Sequence, residues 1–210
     1  MKLVDIHTHK ISREEGVISI KNIPFAEFHR ISSEKKGFYS AGIHPWDVEN
    51  ISNDSLERLK KLAAHHSIKL IGECGLDKNI PATFEHQVLL FRRQILLSEE
   101  VKKPLIIHCV AYFNELFQLK KELKPTQRWI IHGFRGKPQL AEQALKNGLD
   151  ISFGDKFNPE TVLITPLENL FIETDESVLP VSEIYKSVSA IKQCDETELN
   201  AGYQLICPFF

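Results

Sequence analysis

The sequence lacks an excess of charge of either sign. Its 210 residues carry 26 Lys and Arg against 28 Asp and Glu, which gives a formal net charge of -2 at pH 7. A chain with this balance has no general electrostatic attraction for nucleic acid. Any polyanionic ligand would therefore have to be held locally, by metal ions and a few cationic side chains.

Cysteine is also scarce. The four cysteines, Cys74, Cys109, Cys194 and Cys207, show none of the paired spacings of zinc fingers. Because no export signal precedes them, we expect reduced thiols and not disulfides. Cys74 and Cys109 each follow a candidate metal ligand, and side-chain alternation along a strand points such neighbours to the other face. We therefore leave both thiols out of the candidate metal site.

Long apolar runs are missing as well. No uninterrupted apolar segment approaches the roughly 20 residues that span a bilayer. The N-terminus, with Lys2 and Asp5, lacks the pattern of a signal peptide. We therefore expect a cytoplasmic protein with no membrane partner, and nothing in the sequence indicates an obligate protein partner. Repeats and Gly/Ser linkers are absent too, so we expect a single domain over residues 1–210.

What the sequence does contain is an alternation of short apolar runs with helical periodicity, which predicts an α/β fold with a parallel sheet. The predicted helices lie near residues 54–66, 81–101, 111–123, 138–147, 181–192 and 196–206. The predicted strands lie near residues 2–8, 17–20, 37–43, 68–73, 104–108, 128–132, 149–153 and 170–174. Eight strands close a TIM-like (β/α) barrel. Because few residues separate the first two strands, we expect the barrel to be compressed or distorted around them.

Several predicted strands stop on a side chain that can bind a metal ion. These side chains are His7, His9, Glu73, His108, His132 and Asp175. The strands of a parallel barrel end at one mouth, so we expect these groups to converge there. Positions 7 and 9 share a strand face, which lets both imidazoles reach one ion. Mixed imidazole and carboxylate ligands suit zinc, manganese or magnesium.

Each candidate also has a simpler interpretation. His7 and His9 taken alone are equally well explained as the polar end of a strand, and Asp175 could cap the helix near 181–192. The position of Asp175 at a strand end nevertheless favours a ligand or a proton acceptor. For His44, which precedes Pro45, a rigid turn is nearly as well supported as a substrate contact.

Glu73 could be a surface or capping carboxylate. However, Gly72 and Gly75 flank the pair Glu73-Cys74. Glycine at both sides indicates a close approach of two backbones, as at the mouth of a ligand site. The glycines therefore favour a functional role for this carboxylate.

A series of motifs resembles, in order along the chain, the signature of the TatD family of metal-dependent deoxyribonucleases. The motifs are His7-Thr8-His9, Gly42-Ile43-His44-Pro45, Gly72-Glu73-Cys74-Gly75-Leu76-Asp77, Phe91-Arg92-Arg93-Gln94, Ile107-His108, His132-Gly133-Phe134, Ile151-Ser152-Phe153-Gly154 and Glu173-Thr174-Asp175. The resemblance covers nearly the whole chain. A single pair of histidines would be weak evidence, but ordered motifs at five or six strand ends are specific.

The resemblance implies a TIM-like barrel that holds two divalent ions, Zn, Mn or Mg. Carried over by position, His7, His9 and Asp175 hold one ion, His108 and His132 hold the other, and Glu73 bridges them. Glu73 and Asp175 are then the catalytic carboxylates, and Asp175 orients a water molecule and takes its proton. The implied activity is hydrolysis of a phosphodiester, in DNA or in a small substrate, as by a 3′ to 5′ deoxyribonuclease.

The chain departs from the family pattern at the position two residues after His108. Members of the family usually have an arginine there, suited to a bidentate grip on phosphate, and this chain has Val110. Arg135, after the next strand, could supply the missing cation. We therefore take Arg135 and His44 as candidate substrate-binding residues.

Two other functions stay open from the sequence. A metal-dependent amidohydrolase of a small molecule uses the same barrel and histidine pair, and the fold cannot separate it from a nuclease. No lysine is placed to become a carbamylated bridge, which favours the nuclease. A metal-binding barrel without catalysis is suggested by Val110 and the compressed front half, but every proposed ligand is present.

Overall fold

The computed structural model describes residues 2–10, 14–30 and 37–206, so Cys207 lies outside it. The strands are β1 (Leu3–Thr8), β2 (Val17–Ile23), β3 (Phe38–Ala41), β4 (Ile68–Asp77), β5 (Leu105–Val110), β6 (Trp129–Ile131), β7 (Asp150–Phe153) and β8 (Leu170–Ile172). The α-helices are α1 (Asn53–Ala63), α2 (Phe84–Val101), α3 (Phe113–Leu123), α4 (Pro138–Lys146), α5 (Pro159–Ile164), α6 (Val181–Lys192) and α7 (Ala201–Ile206). By their internal contacts the residues form two compact units, a first unit of residues 1–21 with 130–210 and a second unit of residues 22–129.

The first unit contains parallel pairs of strands covered by helices. β1 pairs with β2 in parallel, β7 pairs in parallel with both β6 and β8, and a parallel bridge joins Thr8 to Asp175. Ile6, Ile151 and Phe171 of these strands are fully buried, and the strands also carry buried polar side chains such as Asp5 and Ser152. α6 packs on β1 and β8, and α7 packs on β8.

The connection between β1 and β2 is short, as the sequence predicts. Among its described residues, 9–10 and 14–16, there is no helix. The β1–β2 pairing also changes register between Asp5 and Thr8. The described part of this connection therefore holds no helical crossover, and the pairing of the first two strands is irregular.

Two tyrosines from the helices of the first unit hold its strands. The Tyr203 hydroxyl lies 3.0 Å from the Val4 carbonyl oxygen and accepts from the Ile172 N–H at 2.8 Å. The Tyr185 hydroxyl accepts from the Val4 N–H at 3.1 Å. Both rings are buried, so these contacts satisfy backbone groups that water does not reach. They fix β1 and β8 at Val4 and Ile172, each a few residues before a candidate ligand, His7 or Asp175.

The second unit contains β3, β4 and β5 in parallel. α2 packs along β4, α1 packs on β3 and β4, and α3 packs on β5. Strand β4 is longer than the sequence predicts and runs on to Asp77. Glu73 therefore lies inside β4 and not at its end, because the pairing with β5 shifts register between Ile71 and Cys74 and the strand continues beyond the shift.

Three helical details differ from the expectations. α2 begins at Phe84 and not near residue 81, because the Thr83 side chain accepts from the His86 N–H at 3.3 Å and caps the helix there. α5 was not predicted, since six residues are too short to show helical periodicity. The predicted last helix is divided into a 3-10 turn, Glu198–Asn200, followed by α7. Among the described residues, no helix has both the length and the apolar character that crossing a membrane requires.

Candidate metal sites

The first unit brings His7, His9 and Asp175 together. The Nε2 atoms of His7 and His9 lie 3.7 Å and 3.5 Å from Asp175 Oδ1, and the two rings meet edge to face with centroids 5.1 Å apart. His7 is fully buried, whereas the side chains of His9 and Asp175 remain about one-third and 28% exposed. The three residues thus form a cluster that is buried at His7 and open to solvent at Asp175.

Backbone contacts hold Asp175 against the end of β1. The Asp175 N–H donates to the His7 carbonyl oxygen at 2.9 Å, and the His9 N–H donates to the Asp175 carbonyl oxygen at 3.2 Å. Asp175 has a φ of 51°, in the left-handed region, which aspartate tolerates better than most residues. This turn directs the carboxylate back toward the two histidines.

His132 lies beside the same group and faces a buried carboxylate. Its ring centroid lies 4.6 Å from that of His7, and its Nδ1 lies 3.4 Å from Glu173 Oε1. The Gly133 N–H donates to the same Glu173 oxygen at 2.6 Å. Burial raises the pKa of Glu173, but the hydrogen bond from His132 and the charges of His132 and His7 outweigh it, so this pKa lies below its ordinary value. An ionised carboxylate 3.4 Å from Nδ1 favours the tautomer of His132 that has its proton on Nδ1, which leaves Nε2 able to bind a metal ion.

The second unit brings Glu73, His44 and His108 together. Glu73 Oε1 lies 3.2 Å from His44 Nε2 and 3.1 Å from His108 Nδ1. The centroids of the two imidazole rings are 4.4 Å apart and the ring planes are inclined at 67°. Glu73 is buried and its N–H donates to Asn22 Oδ1 at 3.1 Å. The backbone of Glu73 is therefore held by Asn22, and its carboxylate by the two imidazoles.

The other nitrogen of His108 faces a second carboxylate. His108 Nε2 lies 3.0 Å from Asp77 Oδ2, and the Trp46 indole N–H donates to the same oxygen at 2.8 Å. Burial raises the pKa of Asp77, but hydrogen bonds from Trp46, Asn79 and His108 together bring this pKa below its ordinary value. A carboxylate behind an imidazole is the usual support of a metal-binding histidine. The arrangement leaves Nδ1, on the side of Glu73, as the nitrogen of His108 that is available to a metal ion.

His44 differs from His108 in which ring nitrogen faces Glu73 and carries the proton. Its Nδ1 accepts a hydrogen bond from the Trp46 N–H at 3.1 Å, so the single proton of the neutral ring is on Nε2, which faces Glu73. A nitrogen that carries a proton does not bind a metal ion. His44 is therefore a hydrogen-bond donor at this cluster, and it also begins a tight 3-10 turn, Pro45–Asn50, as the simpler interpretation of the sequence had it.

Glycines allow the strands of the second unit to approach one another around Glu73. Gly72 and Gly75 have φ values of 136° and 144°, and a Cβ atom on either would collide with the β5 backbone at Ile106 or His108. A Cβ atom on Gly42 would collide with the backbone of Gly72. Only glycine fits at these places, which agrees with the close approach expected from the sequence.

Two glutamines of α2 hold the segments that carry His44 and Asp77. The Gln94 amide accepts from the Ile43 N–H at 2.7 Å and donates to the Ile43 carbonyl oxygen at 2.9 Å. The Gln87 amide does the same for Asp77, at 2.7 Å and 2.9 Å. Residues seven apart lie on one face of a helix, and both glutamines are buried. One helix face thus positions two functional segments.

A cavity of about 320 Å³ opens beside Asp175 in the first unit. Arg135 and Lys156 are its cationic side chains, and Gly133, Gly154, Glu173 and Ser177 also line it. The structure therefore places Arg135 next to a candidate ligand of the same unit. Val110, the residue at the family's arginine position, ends β5 and is half-buried.

Both groups have the donor chemistry of a divalent metal site. One ligand atom from each of His7, His132 and Asp175 lies within 4.8 Å of the others, and the same holds for His44, Glu73 and His108. Imidazole nitrogen and carboxylate oxygen are the ligands of zinc and manganese, and these distances fit a shared ion. The protonated Nε2 of His44 leaves Glu73 and His108 as the candidate metal ligands of the second group.

Four residues that contact or hold the candidate sites escaped the sequence interpretation, namely Asp77, Glu173, Trp46 and Gln87. Asp77 and Glu173 stand inside motifs that were recognised, but nothing in one sequence shows which carboxylate lies behind which imidazole. Trp46 follows Pro45 directly. Gln87 lies seven positions before Gln94, a helical repeat of the same residue type that could have indicated a shared role.

Comparison with known proteins finds metal-dependent hydrolases and TatD exonucleases among the relatives of this chain. Residues 12–197 match the model of a family described as TatD related DNase. An uncharacterized metal-dependent hydrolase of Bacillus subtilis, YabD, is 33% identical over 149 residues, which are 66% of this chain and 58% of that protein. The 3′-5′ ssDNA/RNA exonuclease TatD of Cronobacter sakazakii is 31% identical over 153 residues, 67% of this chain and 57% of that protein. The matches thus span less than two-thirds of either relative.

A solved structure supports the fold. The crystal structure of YjjV, a TatD homologue from Escherichia coli, superposes with a TM-score of 0.82 at 21% identity and covers 96% of this chain and 95% of that one. The fold is a TIM-like barrel, as the eight parallel strands predict. Together with the match over residues 12–197, this shows that the chain belongs to the TatD related DNase family.

Proposed function

We propose that this chain is a metal-dependent hydrolase that cleaves phosphodiester bonds in single-stranded nucleic acid, from the 3′ end and in the cytoplasm. The observation that carries the proposal is the presence of two imidazole and carboxylate clusters, in each of which a carboxylate supports a histidine from behind. The name of the Cronobacter relative supports the substrate and polarity, and that of the Bacillus relative supports the use of metal.

The proposed ligands of two divalent ions are His7, His9, Glu73, His108, His132 and Asp175. Zinc, manganese and magnesium are the candidate ions. A bound divalent ion polarises a phosphoryl oxygen and lowers the pKa of a coordinated water from 15.7 toward about 7. Asp77 and Glu173 keep the imidazoles of His108 and His132 in the protonation state that binds metal.

The carboxylate of Asp175 is the proposed proton acceptor. Its 28% exposed side chain faces both the two histidines and the cavity, so a water molecule can reach it from solvent. Glu73 is buried and rigidly held, which suits a ligand that must not move during the reaction. Of the two proposed catalytic carboxylates, Asp175 thus accepts the proton and Glu73 serves as a fixed metal ligand.

Substrate binding is assigned to Arg135 and His44. Arg135 lines the cavity beside Asp175, where a guanidinium can hold a phosphate oxygen with two hydrogen bonds. His44 Nε2 carries a proton, so it can donate to a phosphoryl oxygen as well as to Glu73. Neither role requires the arginine that Val110 replaces.

Hydrolysis by chelator-stripped protein tests the proposal. Single-stranded DNA and RNA labelled at the 5′ end are incubated before and after addition of magnesium, manganese or zinc. The expected result is metal-restored cleavage that shortens the labelled strand stepwise from its 3′ end. Glu73→Gln should abolish cleavage, and Glu57→Gln, an exposed change in the same unit, should leave it intact.

The outcomes separate the functions that the sequence left open. Metal-restored cleavage that Glu73→Gln removes supports the nuclease. No cleavage by metal-loaded protein of any nucleic acid or simple phosphodiester overturns it. Hydrolysis of an amide or cyclic ureide by the same protein would then favour the amidohydrolase, and its absence would favour the barrel without catalysis.

A further inference from the structure

The indole ring of Trp46 is exposed to solvent. It is 65% exposed and is the one aromatic ring among the exposed large apolar side chains of residues 2–10, 14–30 and 37–206. The remaining side chains of that kind are aliphatic. An indole ring that faces solvent beside a polar cluster provides a flat surface on which a ligand can stack.

The ring is held firmly although it is exposed. Its Nε1–H donates to Asp77 Oδ2 at 2.8 Å, and its backbone N–H donates to His44 Nδ1 at 3.1 Å. The ring meets His44 edge to face with centroids 4.9 Å apart, and that of His108 at 6.4 Å. Because these contacts fix the orientation in advance, a ligand that stacks on the indole loses little additional side-chain entropy of the protein.

Its neighbours connect the ring to the candidate metal ligands. Asp77 Oδ2 accepts from both Trp46 and His108, so one carboxylate oxygen separates the indole from an imidazole that we assign to metal. In a nucleotide the base is joined through one sugar to its phosphate. A strand whose phosphate is held by the Glu73 and His108 cluster therefore has a base within reach of this ring.

We propose that Trp46 is the platform on which a nucleobase next to the cleaved phosphate stacks. The inference rests on the proposed function and extends it, because it names a residue that binds the base and not the backbone. Every base has a π face, so stacking binds all four bases without reading sequence. This suits a chain whose net charge of -2 provides little general attraction for the strand.

Tryptophan fluorescence reports on the proposal directly. The chain has two tryptophans, and Trp129 is fully buried, so a ligand that quenches by stacking acts on Trp46. Protein loaded with a divalent ion is titrated with nuclease-resistant phosphorothioate oligothymidylate and with an abasic phosphorothioate strand of the same length. We expect quenching by oligothymidylate only, and binding at least about fivefold tighter than that of the abasic strand, as base stacking on an aromatic ring produces.

Variants of Trp46 distinguish stacking of a base on the ring from the hydrogen bond that the indole N–H donates to Asp77. Anisotropy of labelled strands is measured with Trp46→Phe, which keeps a stacking face but loses the indole N–H, and with Trp46→Leu, which loses both. Trp46→Phe should keep most of the preference for oligothymidylate over the abasic strand, and Trp46→Leu should lose it. Leu96→Ala, a change at another 65% exposed side chain, should not alter the preference.

Two results would overturn the inference. One is equal binding of the two strands by the native protein. The other is a loss in Trp46→Leu that is the same for both strands, since that pattern belongs to a residue that only positions Asp77. Failure of the proposed function looks different, because base-dependent quenching would then be seen without metal-dependent hydrolysis.

Discussion

At the scale of single residues, the candidate sites depend on carboxylates that stand behind histidines. Asp77 faces His108 and Glu173 faces His132, one such pair in each unit. Both carboxylates are buried, and hydrogen bonds keep the pKa of each below its ordinary value despite that burial. Each therefore stays charged at neutral pH and fixes the tautomer of its imidazole.

Asp77→Asn should weaken metal binding about 10- to 100-fold, the usual cost of removing such a support. An amide presents either an N–H to the imidazole or a weaker acceptor, so His108 loses its fixed proton. Calorimetric titration of the chelator-stripped variant with zinc measures the effect. Asp54→Asn, at an exposed helix position, is the matched control, and equal affinities for both variants would contradict the assignment.

At the scale of elements, α2 organises the second unit from one face. Its buried glutamines bond the backbone at Ile43 and Asp77, and Ser98 near its C-terminus donates to the Lys103 carbonyl oxygen at 2.6 Å. The helix thus sets the positions of segments that are distant in sequence. Its role is positional, because these side chains bond backbone groups of other segments.

Gln94→Ala should lower the free energy of unfolding by roughly 2 kcal/mol or more, because it leaves the Ile43 N–H and carbonyl without partners in the interior. Denaturant unfolding measures the change. Gln143→Ala removes the same side chain from an exposed position of α4 and should cost less than about 0.5 kcal/mol. Equal losses would show that the two hydrogen bonds of Gln94 contribute nothing.

Glu99, in the last turn of α2, should make stability depend on pH in the acid range. It accepts from the Thr126 hydroxyl at 2.5 Å and from the Gln127 N–H at 2.8 Å, and these bonds outweigh burial, which by itself raises its pKa. The folded pKa is thus below the unfolded one, so the stabilisation is present above about pH 4.5 and is lost as the pH falls through the folded pKa.

The difference in unfolding free energy between the native protein and Glu99→Gln measures this effect. We expect about 1 kcal/mol at neutral pH and a difference that shrinks on acidification. Glu100→Gln, at the neighbouring exposed position, should show little difference at any pH. A Glu99→Gln difference that is unchanged at low pH would contradict the assignment.

At the scale of the whole molecule, charge decides how a nucleic acid would be held. With 26 basic and 28 acidic side chains, the chain has no net positive charge to replace counterions along a strand. Affinity must come from metal ions, from Arg135 and from stacking. Binding should therefore depend only weakly on salt.

We expect the logarithm of the affinity for oligothymidylate to fall with the logarithm of salt concentration with a slope shallower than about -2. Each phosphate contact with single-stranded DNA contributes about -0.7, so Arg135→Ala should reduce the steepness by about that amount. Lys121→Ala, at an exposed site on α3, should leave the slope unchanged. A steep slope in the native protein, or no effect of Arg135→Ala, would show that other cations hold the strand.

The sequence determined the fold class and the family, because periodicity, strand number and ordered motifs are properties of residue order alone. The short first connection was also visible there, since counting residues excludes a helical crossover. Six candidate ligands, from His7 to Asp175, were found in the same way, from their positions at or near strand ends. The extent of β4 was not, since the register shift at Gly72–Cys74 arises only when β5 lies alongside.

Only the tertiary structure decided how these side chains work. The proton on His44 Nε2 is set by a backbone N–H two residues away, in a turn that the sequence does not specify atom by atom. The partners of His108 and His132 are 31 and 41 positions away in the chain, and no local pattern links them. Periodicity identifies which residues share a face, but hydrogen bonds between distant segments depend on where packing brings their atoms.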